Sequence, residues 1–137
     1  MKNSVIFAEK LTKKYGELSA VDKVDLSVPN GICFGLLGPN GAGKTTMIQM
    51  LQASSPVTNG KLKVLGTDVS KESRSVRKRI GVIPQEDNLD PDFTAEYNLI
   101  VYARYFGIDV NEAKEKASKL LEEVGLTDKA NEKIANL

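Results

Sequence analysis

The fold is decided by the stretch Gly38-Pro39-Asn40-Gly41-Ala42-Gly43-Lys44-Thr45-Thr46. It follows an unbroken apolar run at residues 32–37, which predicts a strand covered on both faces. Four apolar residues after it have the spacing of a short helix: Met47, Ile48, Met50 and Leu51. A strand, a glycine-rich loop and a helix in this order, with glycines, Lys44 and Thr45 at fixed positions, indicate a phosphate-binding loop (P-loop).

Such a loop needs glycine because backbone N–H groups bind the phosphates, and only glycine lets the chain curl without a Cβ clash. We expect the amides of residues 41–44 to point inward and the β-phosphate to lie at the positive end of the following helix. Lys44 would reach the β- and γ-phosphates, and the Thr45 hydroxyl would complete a Mg²⁺ shell. The simpler alternative is a glycine-rich turn with a capping threonine.

Composition excludes several kinds of chemistry. The 137 residues include no histidine and a single cysteine, Cys33, so His-dependent catalysis and a multi-thiolate zinc site are excluded, and Cys33 is expected to pack in the core. A net charge of +1 provides no basic field for nucleic acid. No apolar run has the length of a membrane span, and the early Glu9 argues against a signal sequence, so a cytoplasmic location is expected.

The remaining strands and helices are predicted from periodicity. Strands are expected at residues 5–10, 21–28, 61–65 and 80–83, and a helix at 73–79. Two more helices should follow, the first capped by Thr94 and ended by Gly107, the second ended by Gly125. The expected apolar face of the first is Leu99, Tyr102, Ala103 and Phe106, and that of the second is Ala113, Ala117, Leu120, Leu121 and Val124. The predicted fold is therefore α/β, with a P-loop NTPase-type core over residues 1–84 and an α-helical subdomain over residues 85–137.

The chain resembles the ATP-binding cassette (ABC) transporter ATPases along its whole length. The resemblance is carried by the P-loop sequence, by Tyr15 in LTKKYG and by Gln85 in GVIPQ. The resemblance implies that Tyr15 stacks on adenine, that Thr46 lies near the α-phosphate and that Gln85 touches Mg²⁺ and the attacking water. Lys44 and Gln85 are then the catalytic residues, and Thr45 and Gln85 the metal ligands. The implied ATP-binding residues are Tyr15, Gly38, Pro39, Asn40, Gly41, Ala42, Gly43, Lys44, Thr45 and Thr46. From the residues alone, Tyr15 could equally be a half-buried aromatic and Gln85 a solvated loop glutamine.

The family pattern also contains an LSGGQ-type signature, a Walker B strand ending in Asp-Glu and a switch histidine, none of which occurs here. Leu137 stands where the signature would open, so the resemblance implies the front part of a longer ATPase, incomplete relative to the family fold. We expect this fragment to bind MgATP without hydrolysing it. An unpaired strand edge and an uncovered apolar face should make it marginally stable or self-associating.

The resemblance further implies a transmembrane permease and a second nucleotide-binding domain as partners, with the chain on the inner face of the cell membrane. The sequences of the P-loop and of the segment around Gln85, which the family calls the Q-loop, are similar to those of the bacterial exporter branch. Two alternatives remain. One is a self-contained P-loop protein of kinase or GTPase type, although Asn-Lys-x-Asp and Asp-x-x-Gly do not occur. The other is a non-catalytic nucleotide-binding domain.

Overall fold

Two long antiparallel strands begin the described part of the chain. The computed structural model describes residues 4–85 and 88–137. Strand β1 (Ser4–Tyr15) pairs with β2 (Leu18–Pro29) through a tight turn at Gly16, whose φ is +57°. Along β2, Val24, Leu26 and Val28 are less exposed than the polar residues between them. The predicted strands at 5–10 and 21–28, and the predicted wet face of the second, are therefore confirmed.

The sheet has four strands in the order β2-β1-β3-β4, all antiparallel, within residues 4–85. Strand β3 (Asn59–Val64) confirms the expected strand at 61–65, and the short β4 is Thr67–Asp68. One side of this sheet is buried against two helices, α1 (Lys44–Leu51) and α2 (Ser73–Arg77). The most buried side chains of this core are Leu11, Met50 and Val76. Helix α1, which begins at the P-loop lysine, confirms the short helix predicted after the loop.

Two predicted strands are wrong. Residues 32–37 and 80–83 form no strand, and Leu37 and Ile83 are 92% and 97% exposed. Cys33, expected in the core, is exposed as well. An apolar run becomes a buried strand only when neighbouring strands supply hydrogen-bond partners and a covering layer. Within the described residues, none of the strands β1 to β4 pairs with either segment.

A second compact unit begins at Ile83 and is helical, while the first unit ends at Val82. Helix α3 (Ala95–Tyr105) begins after Thr94, whose hydroxyl accepts a hydrogen bond from the Tyr97 N–H at 3.1 Å. Helix α4 (Val110–Glu123) begins after Asp109. Gly107 and Gly125, with φ of +77° and +69°, follow the two helices, so the predicted cap and stops are confirmed. Short 3-10 turns follow at Thr127–Lys129 and Ile134–Asn136.

The buried faces of the two helices in this unit are narrower than the predicted apolar faces. The buried side chains are Ala95, Asn98, Ile100, Ala113, Ala117 and Leu121. Of the expected faces, Tyr102, Phe106, Leu120 and Val124 are exposed. Each helix packs mainly against the other, and a single neighbour covers only a stripe spaced by about four residues. Within the described residues, no helix combines the length and apolar character needed to span a bilayer.

Candidate nucleotide site

The P-loop backbone has the conformation that only glycine adopts easily. Gly41 and Gly43 have φ of +82° and +81°, in the left-handed region, and Gly43 immediately precedes α1. A Cβ built on Gly43 would overlap the carbonyl oxygen of Ala20 and lie 3.4 Å from Val21 Cγ2. The loop therefore lies backbone to backbone against β2, at the residue that immediately precedes α1.

Helix α1 presents free amides beside this loop. Its first internal hydrogen bond runs from the Met47 N–H to the Gly43 carbonyl at 2.8 Å. The amides of Lys44, Thr45 and Thr46 precede that bond and have no acceptor inside the helix, so they concentrate partial positive charge at its start. The Ala42 N–H donates to the Pro39 carbonyl at 3.3 Å and closes the loop on itself. An anion at this end would meet several N–H groups together.

Lys44 lies over the loop from which it emerges. Its ammonium donates to the carbonyls of Gly38 and Pro39 at 2.6 and 2.7 Å. These two contacts hold a flexible four-carbon side chain across the mouth of the loop. Since an ammonium has three donors, one stays available while the carbonyl bonds persist. A phosphate placed on the helix amides would be within the reach of a side chain already folded over that position.

The adenine candidate lies at the same end of the sheet. Tyr15 ends β1 opposite Leu18, and the residue is 48% exposed. Ala20, which contacts Gly43, lies only two residues beyond Leu18 on β2. The structure thus brings the aromatic side chain and the P-loop to one end of the β1–β2 hairpin.

The two predicted metal ligands, Thr45 and Gln85, belong to different units. Thr45 is exposed in the first turn of α1, whereas Gln85 is exposed in the second unit. Among the described residues there is no cluster of three or more acidic, His or Cys side chains that could hold a metal ion. A site built from one hydroxyl, phosphate oxygens and water suits Mg²⁺, which keeps several waters and binds through few protein ligands. The donor set around Thr45 therefore fits Mg²⁺ that arrives with a nucleotide.

Comparison with known proteins identifies the family. The model of the ABC transporter family matches residues 21–137. This chain belongs to the ABC transporter family. The Nod factor export ATP-binding protein I of Paraburkholderia xenovorans is 42% identical over 137 residues, which cover 100% of this chain and 45% of that protein. The protein of the same name from Burkholderia thailandensis is 45% identical over 129 residues, covering 94% and 42%. The ABC chain described here thus spans less than half the length of these curated relatives.

A solved structure gives the same assignment for the fold. A dimeric ATP-binding cassette in a post-hydrolysis state, bound to ADP and Pi, matches with a TM-score of 0.76 and 25% identity. The match covers 96% of this chain and 62% of that one. The predicted fold class, a P-loop NTPase-type core followed by helices and incomplete relative to the family fold, is confirmed for this ABC chain.

Two residues of the site were not predicted from the sequence. Lys13 is buried beside Tyr15, and Ala20 supplies the carbonyl against which Gly43 packs. A lysine between a threonine and a second lysine has the pattern of a solvated strand end, and an alanine carries no functional group. Strand pairing in this ABC chain places the Ala20 carbonyl at the P-loop, and the contact of Lys13 with the Pro56 carbonyl holds Lys13 beside Tyr15.

Proposed function

We propose that this chain is the ATP-binding portion of an ABC transporter subunit, and that it binds MgATP at the P-loop. One observation carries the proposal: left-handed glycines 41 and 43 lead directly into the free amides of α1, and the Lys44 ammonium is bonded to the Gly38 and Pro39 carbonyls of the same loop. This is an anion site with a mobile cation. The curated relatives are named as ATP-binding proteins, and the solved relative holds ADP and Pi.

Each residue takes a role that its chemistry allows. Amides of the loop and of the first turn of α1 bind the β-phosphate, and Lys44 exchanges its carbonyl contacts for the β- and γ-phosphates. Thr45 holds Mg²⁺, which neutralises phosphate charge when bound, and Thr46 lies near the α-phosphate. Tyr15 stacks on adenine. Gln85 keeps the role that the family resemblance implies, contact with Mg²⁺ and with the attacking water.

The partners follow from family membership. We propose a transmembrane permease and a second nucleotide-binding domain, with the chain in the cytoplasm against the inner face of the membrane. Export is the proposed direction, since the curated relatives are named for Nod factor export. The 137-residue chain binds nucleotide without turnover, because its sequence has no histidine to serve as the switch and no Asp-Glu pair to orient water.

The test is MgATP binding by the purified chain, measured by calorimetry and by thermal unfolding. At a nucleotide concentration about 100 times Kd, binding should add about 2.7 kcal/mol to the free energy of unfolding. Lys44→Ala should abolish both signals, whereas Lys119→Ala, on the exposed face of α4, should leave both unchanged.

Three results would contradict the proposal. Equal affinity of Lys44→Ala and the unchanged chain would remove the P-loop from the binding site. Stronger displacement by GTP than by ATP would favour a GTPase-type protein. Saturable MgATP hydrolysis that depends on Lys44 would show that the chain turns over unaided.

A further inference from the structure

Lys13 is a buried lysine beside Tyr15, the candidate residue for stacking on adenine. Its residue is 6% exposed, whereas its neighbour Lys14 is exposed. The Lys13 ammonium donates to the Pro56 carbonyl at 2.7 Å and lies 4.9 Å from the centroid of the Tyr15 ring. A cation within about 6 Å of an aromatic centroid is attracted by the electrons of the ring face. Lys13 therefore contacts Tyr15 through the face of its ring.

Burial makes this arrangement costly unless each contact is kept. A buried ammonium loses its hydration, and here one carbonyl oxygen and one aromatic face replace part of it. Releasing Tyr15 from Lys13 would remove one of these two partners. The ring is consequently held in one orientation, with one face covered by the ammonium, while the residue as a whole stays 48% exposed.

The same lysine joins the aromatic end of β1 to the segment that follows α1. Pro56 lies between α1 and β3. That segment is tied to β1 by two more hydrogen bonds, from the Thr58 N–H to the Thr12 carbonyl and from the Lys14 N–H to Thr58 Oγ1, each 3.1 Å. Tyr15 is thus positioned relative to the same helix whose first turn forms the phosphate site.

We propose that Lys13 is a positioning residue for base binding: it covers one face of Tyr15 and leaves the opposite face as the stacking surface for adenine. This rests on the proposed function and adds to it the residue that sets the orientation of the base platform. Lys13 does not contact the phosphates in this arrangement. Its removal should weaken binding of a nucleotide, but not of the phosphate chain alone.

The experiment compares two probes, MgATP and inorganic tripolyphosphate with Mg²⁺, on the unchanged chain, four single variants and one double variant. Lys13→Met keeps the length of the side chain and removes its charge, and should weaken MgATP binding about five- to tenfold. Its affinity for tripolyphosphate should be unchanged, which also reports a folded P-loop. Lys13→Arg, which keeps a cation over the ring, should restore most of the MgATP affinity. Lys14→Met is the matched control and should bind both probes normally.

The fourth variant, Tyr15→Ala, tests whether Lys13 acts through the ring. On that background, Lys13→Met should have no further effect on MgATP affinity. An equal loss for both probes, no loss for either, or the same loss with and without Tyr15 would overturn the inference. Failure of the unchanged chain to bind either probe would instead refute the proposed function, while equal affinity for both would refute base stacking and this inference with it.

Discussion

Gly43 of the P-loop packs against Ala20 of β2, with its Cα so close to the Ala20 carbonyl that no side chain fits between them. The contact joins the phosphate loop to the strand that pairs with Tyr15 at its turn end. It explains why glycine is needed at this position for two separate reasons, the left-handed φ of +81° and the lack of space. The loop, α1 and the aromatic end of the hairpin are thereby fixed as one local arrangement.

Gly43→Ala should therefore lower the free energy of unfolding by about 2–5 kcal/mol, from backbone strain plus overlap with a rigid backbone atom. The matched control is Gly31→Ala, which has a similar φ of +78° but open space around the added methyl group. That control should lose only about 1–2 kcal/mol. Urea unfolding followed by circular dichroism measures the free energy of unfolding of both variants. Equal losses of stability would show that overlap with the Ala20 carbonyl adds nothing to the cost of Gly43→Ala.

The hydrogen bond between Asp68 and Ser70 should make part of the chain's stability depend on pH. The Ser70 hydroxyl donates to Asp68 Oδ1 at 2.6 Å, and this bond is the main cause of the lowered pKa of Asp68. Burial opposes the shift, and the Ser70 N–H with Lys71 and Lys63 reinforces it. Because the folded-state pKa lies below the unfolded one, the stabilisation is present above the unfolded pKa and is lost as pH falls through the folded one.

Ser70→Ala should raise the pKa of Asp68 toward its ordinary value, as measured by NMR titration of the side-chain carboxyl. The variant should be less stable than the unchanged chain at neutral pH, with the part of the difference due to ionised Asp68 disappearing below the folded pKa. Ser118→Ala, exposed on α4, serves as the control and should leave the pKa of Asp68 unchanged. An unshifted titration in Ser70→Ala would contradict the assigned cause.

The apolar run before the P-loop predicts self-association of the 137-residue chain. Ile32, Phe34 and Leu37 are all exposed within a few residues of one another. Contiguous apolar surface of this kind favours association. Size-exclusion chromatography should show a concentration-dependent shift to larger species, and Leu37→Asp should reduce it. Leu120→Asp, at an exposed leucine on α4, should not, and a monomer at every concentration would contradict the prediction.

Local patterns predicted much of this fold correctly. The alternation along β2, the cap at Thr94 and the glycine stops at Gly107 and Gly125 depend on nearby residues, and each is present. The predicted helix faces were only half right, because the width of a buried stripe depends on how many neighbours cover it. Tyr102 and Phe106 have helical spacing but remain exposed.

The sequence by itself determined the P-loop, because glycine, lysine and threonine at fixed spacing already specify how a chain can curl around phosphate. It also indicated the family, through the P-loop residues together with Tyr15 and Gln85. Only the tertiary structure decided that residues 32–37 form no strand and, apart from the partly buried Leu36, are exposed, since burial needs partners that no local pattern contains. It alone placed Ala20 against Gly43, because strand pairing positions the Ala20 carbonyl. It also buried the Lys13 ammonium between the Pro56 carbonyl and the Tyr15 ring, because the segment after α1 returns to β1.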